Sequence, residues 1–203
     1  PRNVEAIVGH ISKQIMIDSL EIANQLFDEG VLADMGYDRN SLMTFFIPNT
    51  YEVYWNIKVE DLLLRMQKEH NNFWNDSRKQ KAEQIGLSAY EVAILASIVE
   101  EETAKNDEKA TVAGLYMNRL KRGMPLQADP TIKYAIGDFT IQRITNQDLK
   151  IESPYNTYLY TGLPPGPIRI PTIKGIDSVL NYQEHNYIYM CAKEDFSGYH
   201  SFA

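Results

Sequence analysis

Glu102 is the residue of this sequence best placed to move a proton. It lies near the end of the run Leu95-Ala-Ser-Ile-Val-Glu-Glu-Glu-Thr103. Ser88-Ala-Tyr-Glu91 upstream has the form of a capping box, so a helix should start at about Ala89. With successive residues about 100° apart, Glu102 comes up behind the apolar stripe of Leu95, Ile98 and Val99, whereas Glu100 comes up behind Ala93, Ala96 and Ser97. A carboxyl that shares a face with aliphatic side chains loses water on packing. Its charged form is then disfavoured and its pKa rises, the property a general acid needs near neutral pH. The plainer alternative is a carboxylate at a frayed helix end, in water or paired with a lysine, since an isolated Glu is seldom catalytic.

Composition narrows the setting. The chain has 203 residues, 44% of them hydrophobic and 11% aromatic, which describes a globular protein. The net charge of −7 and the absence of a Lys/Arg cluster interleaved with aromatics argue against a nucleic-acid partner. The single cysteine, Cys191, excludes an intrachain disulfide, and its place in the apolar run Tyr187 to Ala192 predicts a buried, inert thiol. His10, His70, His185 and His200 show no zinc-ligand spacing, so no metal is expected, and nothing calls for a cofactor. No stretch approaches the length of a membrane span, and a chain opening on Pro1 is expected to be preceded by further sequence.

The elements that must position Glu102 read as α+β: a helical N-terminal region over residues 1–85, followed by a catalytic domain of helices and short strands with a cleft over 86–203. Apolar residues from Val4 to Leu26 recur at helical spacing, with Asp18 or Ser19 as a cap between two helices. Thr44 to Trp55 is rich in aromatic and β-branched residues and suits a strand or an ordered loop, whose rings either stack on sugars or pack a core. Val59 to Trp74 reads as an amphipathic helix, and the charged stretch Arg78 to Glu83 as a connection. After Glu102 a second helix is expected from about Asp107 to Arg122, with Val112, Ala113, Tyr116 and Leu120 as its inner stripe and Gly123 as its left-handed cap. Asp129 is expected to cap a short helix begun by Pro130 and stopped by Gly137. Ser153 to Ile168 combines a tyrosine-rich strand signal with a rigid Gly/Pro turn able to wall a cleft. Ile176 to Leu180 suggests a short helix, Asn186 to Ala192 a buried strand, and Gly198 to Ala203 a last strand whose partner is sought beyond the end of the sequence.

Several of these pieces fall together. Ala96-Ser-Ile-Val-Glu-Glu-Glu-Thr103, Glu108, Val112-Ala113, Asn118-Arg-Leu120, Gly123-Met-Pro-Leu-Gln-Ala-Asp-Pro-Thr131, Tyr155-Asn-Thr-Tyr158 and Gly162-Leu-Pro-Pro-Gly166 resemble, in consistent order, the endolytic murein transglycosylases of the YceG-like (MltG) family. Residues 1–85 match weakly, chiefly at Pro48-Asn-Thr-Tyr51. The resemblance implies a bacterial envelope enzyme at the periplasmic face of the inner membrane, anchored by one helix outside this sequence. It would cut peptidoglycan glycan strands after N-acetylmuramic acid and leave 1,6-anhydro ends, with cell-wall synthases as possible partners. The family's catalytic Glu, directly before Thr in Glu-x-Glu-Thr, is Glu102. Asn118, Gln127, Asp129, Tyr134, Tyr155 and Asn156 are then expected to line the cleft, each with the alternative of holding a loop. Glu108 either supports the site or complements the N-terminus of its helix. Two departures stand out: Ala128 replaces the usual Thr, and the LysM-like sugar-binding module is not legible in the first 85 residues. The rival readings are a murein-binding scaffold without chemistry and a muramidase-type hydrolase, for which Asp129 is the second carboxylate to test.

Overall fold

The structure is a computed structural model and describes residues 1–195 and 197–203. Helices dominate: α1 Val4–Ile11, α2 Ser19–Phe27, α3 Glu29–Asp34, α4 Leu42–Phe45, α5 Val59–Phe73, α6 Asp76–Gln84, α7 Ala89–Glu102, α8 Lys109–Lys121, α9 Asp129–Ile136 and α10 Ile173–Leu180. A 3-10 turn covers Asp148–Lys150, and the strands β1 Met190–Ala192 and β2 His200–Phe202 complete an α+β fold.

Helix α7 is the axis of the second half. Both bonds of the Ser88/Glu91 capping box form, fixing its start as the sequence requires. From Val92 to Val99 every residue is buried, because α6, α8, α9 and α10 pack around it. Each Leu, Ile or Val taken wholly out of water there contributes about 1.5–3 kcal/mol. This cluster takes in Val112, Ala113 and Tyr116 of α8 and Ile176 and Val179 of α10. A second cluster fills the space among α1 to α5. Ile47 belongs to the first cluster and Ile170 to the second, so each half lends an aliphatic side chain to the other.

The three glutamates at the end of α7 point three ways. The Glu100 side chain is 6% exposed and accepts from Lys109 Nζ at 2.7 Å and from Thr172 Oγ1 at 2.5 Å, joining α7 to α8 and α10. Glu101 is held by Arg2 at 2.9 Å and Arg169 at 2.8 Å, which fastens the N-terminus to the helix. Glu102 turns toward a cleft.

Several elements differ from expectation for physical reasons. Residues 76–84 form a helix, capped by Asn75, rather than a connection. Almost all of its side chains are polar and only Ala82 is buried, so it carries no apolar period. The aromatic stretch from Thr44 starts in α4 and continues as a loop, one of the two forms expected for it, whereas Ser153 to Ile168 is a series of turns rather than a strand. The partner of the last strand lies within the chain: Met190, Cys191 and Ala192 pair antiparallel with Phe202, Ser201 and His200. This ribbon is not buried, and Cys191 is exposed, because only one side of the two-stranded ribbon has protein to pack on. Gly137 stops α9 in the left-handed conformation as expected, at φ 79°. Among the described residues no single helix is long and apolar enough to cross a membrane.

Candidate active site

Helix α7 delivers Glu102 at its last turn, where Thr103 leaves the helix with extended backbone and its N–H still bonded to the Val99 carbonyl. One helix on, Tyr116 of α8 is 2% exposed and points its hydroxyl back at α7. A buried Tyr needs a partner for its O–H, and here it donates to Glu102 Oε1 at 2.7 Å. Glu102 keeps contact with a cleft of about 230 Å³ whose walls include Tyr116, Arg119, Gln127, Asp129, Tyr158, His200 and the β1 ribbon.

Opposing influences set the state of Glu102. Loss of water is the largest and raises its pKa, and the Asp129 charge acts in the same direction. The Tyr116 hydrogen bond, which favours the ionised form, opposes them, with smaller help from His200 and Arg119. The balance leaves the carboxyl at about 7, against 4.5 for a free glutamate. Such a group is protonated in an appreciable fraction at neutral pH, and the carboxylate left after it gives up that proton readily takes one back.

The opposite wall is a constrained loop. Gln127 takes a positive φ of 53°, a conformation disfavoured for a residue with a Cβ, and is held there from both sides. Its N–H donates to the Thr157 carbonyl at 2.9 Å, and its side-chain oxygen accepts from Arg119 at 3.1 Å. Arg119 is buried and also donates to the carbonyls of Leu126 and Ile188, so one guanidinium ties this loop to the segment entering β1. Ala128, at the position where the family usually carries Thr, is fully buried. Its N–H donates to Thr157 Oγ1 at 3.0 Å and its carbonyl accepts from Thr131 Oγ1 at 2.7 Å.

Asp129 departs from the expected role of N-cap. Ala128 occupies that position without a side-chain bond, and Asp129 is the first residue of α9. Placed one residue inside the helix rather than at its N-cap, its carboxylate faces the cleft and accepts from the Tyr158 hydroxyl at 2.5 Å. Glu108 lies beside the cleft. Its Oε1 accepts the His200 N–H at 2.7 Å and its Oε2 meets His200 Nδ1 at 2.8 Å, so it anchors β2 rather than bonding its own helix N-terminus. Burial works against charging Glu108, but the hydrogen bonds from His200 and Thr103 outweigh it and hold the carboxyl below its usual range.

The remaining expected residues lie outside this lining. Asn118 donates to the carbonyls of His185 and Tyr187. Asn156 is wholly buried, donating to Leu149 and Ile151 carbonyls and accepting from the Tyr158 N–H. Tyr134 and Tyr155 pack against each other with ring centroids 4.7 Å apart. Conversely, Arg119, Tyr158 and His200 line the cleft without having been singled out, and Tyr116 was read as core alone. The last carried a usable signal, since a Tyr on an inner stripe must bring its hydroxyl to a polar group.

Comparison with known proteins identifies the family. A model of the YceG-like family matches residues 2–203. The chain is 31% identical over 196 residues to an endolytic murein transglycosylase of Bacillus subtilis, covering 93% of this chain and 52% of the relative. It is 32% identical over 162 residues to one from Streptococcus pneumoniae, covering 76% and 28% respectively. The chain thus spans about half or less of the curated relatives it matches. A crystal structure of a YceG-like protein from Listeria monocytogenes superposes with a TM-score of 0.80 at 25% identity, over 98% of this chain and 69% of that one. With the family's match running essentially end to end, the chain belongs to the YceG-like family.

Proposed function

We propose that this chain carries the catalytic part of an endolytic murein transglycosylase, cleaving peptidoglycan glycan strands after N-acetylmuramic acid and leaving 1,6-anhydro ends. The observation that carries the reading is one carboxyl, Glu102, poised at about 7 in a cleft by burial and the Tyr116 hydroxyl. The names of the relatives supply the substrate class. Glu102 first acts as acid and protonates the glycosidic oxygen as the bond to C1 breaks. The carboxylate so formed then takes the proton of the muramoyl C6 hydroxyl while O6 closes onto C1. The substrate brings its own nucleophile, so no second carboxylate is required. Gln127 and Asp129 contact the sugar from the opposite wall, and Glu108 serves the site through His200. Asn118, Tyr134, Tyr155 and Asn156 act by fixing the segments around the cleft.

The enzyme works in the cell envelope, on the periplasmic side of the inner membrane, where nascent strands leave the synthases. The test is product analysis by mass spectrometry on purified murein with wild type and Glu102→Gln side by side. Wild type should give anhydro-muramoyl ends, and Glu102→Gln should lose activity by about 10²–10⁴. Asp129 in the same cleft favours one rival, a hydrolase with paired carboxylates. Reducing ends incorporating solvent oxygen from the wild type would select that rival instead.

A further inference from the structure

The cleft holds a second group suited to proton transfer. His200 lines it at the start of β2, facing the same space as Glu102, and its position depends on a residue 92 positions earlier. Glu108 grips His200 twice, through the backbone N–H at 2.7 Å and through Nδ1 at 2.8 Å. Glu108 is 6% exposed and its carboxyl is kept ionised by these bonds and by Thr103. An ionised carboxylate only accepts, so a neutral His200 ring must carry its proton on Nδ1. Among the described residues Nε2 has no hydrogen-bond partner, and it does not belong to the buried unpaired atoms either. The ring of this cleft-lining residue therefore keeps a fixed lone pair free of protein partners and in contact with solvent, the carboxylate–imidazole arrangement that prepares a base.

We propose that His200 is a second catalytic residue, which accepts the proton of the muramoyl C6 hydroxyl as O6 attacks C1 and then passes it to Glu102. This rests on the transglycosylase reading and refines its second stage. The C1 to glycosidic-oxygen bond breaks with its electron pair leaving on that oxygen, which receives the Glu102 proton. The bond from O6 to C1 forms, and the O6 proton moves to Nε2. The imidazolium, paired with Glu108, returns that proton to the Glu102 carboxylate, so both groups regain their starting states and no proton is gained or lost. Glu108 is a positioning residue in this scheme. A positive charge on His200 bears on the ionisation of Glu102 across the space they share.

Two measurements test the idea on the whole chain. Nitrogen-15 NMR of the imidazoles, with His200 assigned by its loss in His200→Gln, should show the Nδ1–H form in the neutral ring, and Glu108→Gln should abolish that preference. A His200 ring protonated on Nε2 overturns the proposal whatever the activity. On murein, His200→Gln should keep KM within about twofold while kcat falls by about 10²-fold. The ratio of reducing to anhydro ends should also rise, as water replaces a poorly activated C6 hydroxyl. Wild-type kcat and end-group ratio in a folded His200→Gln overturn the relay and leave Glu102's role standing. Reducing ends from the wild type itself would instead overturn the transglycosylase reading, and the relay with it.

Discussion

The Tyr116 hydroxyl and Glu102 Oε1 stand 2.7 Å apart across the α7–α8 contact, and the bond pulls the carboxyl's ionisation in the direction opposite to its burial. Tyr116→Phe keeps the ring that fills the core and removes only this donor. With the ionised form no longer stabilised, the pKa of Glu102 rises further. The alkaline limb of the kcat/KM profile, expected near pH 7 in the wild type, should therefore move to higher pH by roughly one to two units, given that hydrogen bonds to charged groups are worth about 1.5–3 kcal/mol. A pH–rate series on murein checks the sign as well as the size.

The same carboxyl costs stability when it ionises. Its folded pKa of about 7 exceeds the free value of 4.5, so between those values the folded state binds more protons than the unfolded one. Stability then falls as pH rises through that window and stays low above it. Glu102→Gln removes this penalty. The variant should match the wild type near pH 4.5 and exceed it at pH 8 by about 1–3 kcal/mol. Urea melts at the two pH values measure the difference.

The Glu100–Lys109 pair is buried at both ends, with side chains 6% and 7% exposed. Lys109→Met would leave the carboxylate with Thr172 as its remaining partner. A loss of about 3–5 kcal/mol is expected on breaking such a pair from one side, read as a lower denaturation midpoint.

Gly114 in α8 lies under the segment after α10, where an added Cβ would come within 2.2 Å of the Gln183 carbonyl oxygen and 2.7 Å of His185 Nε2. The first neighbour is backbone and cannot swing aside. Gly114→Ala should therefore destabilise by about 1–3 kcal/mol despite the better helix propensity of Ala, visible as a lower Tm.

Local chemistry was legible where the sequence carries it locally. The Ser88/Glu91 box, the stripe of α8 and the Gly137 stop are decided within a few residues, and the face of α7 occupied by Glu102 follows from a rotation of about 100° per residue. The far wall of the cleft is set by pairings that no short window contains. Arg119 reaches Ile188, and Glu108 reaches His200 from 92 positions away. Apolar content alone misread the Tyr187 to Ala192 run as core, because a ribbon with one side packed and one in solvent uses the same residue types. Helix α6 escaped for the converse reason, having almost nothing apolar to give it a period.

The consecutive placement of Glu100, Glu101 and Glu102 makes the end of α7 sensitive to phase. Each acid meets a different environment, respectively an ammonium in the interior, two guanidiniums and the cleft. A single residue inserted between Val99 and Glu100 would preserve all three carboxylates yet hand each the surroundings of its neighbour. Glu101 would occupy the proton donor's location, and the arginines would face an acid meant for the lysine. The position facing the cleft would still hold a glutamate, so the harm of one step of register would fall on Lys109, left in the interior without its carboxylate.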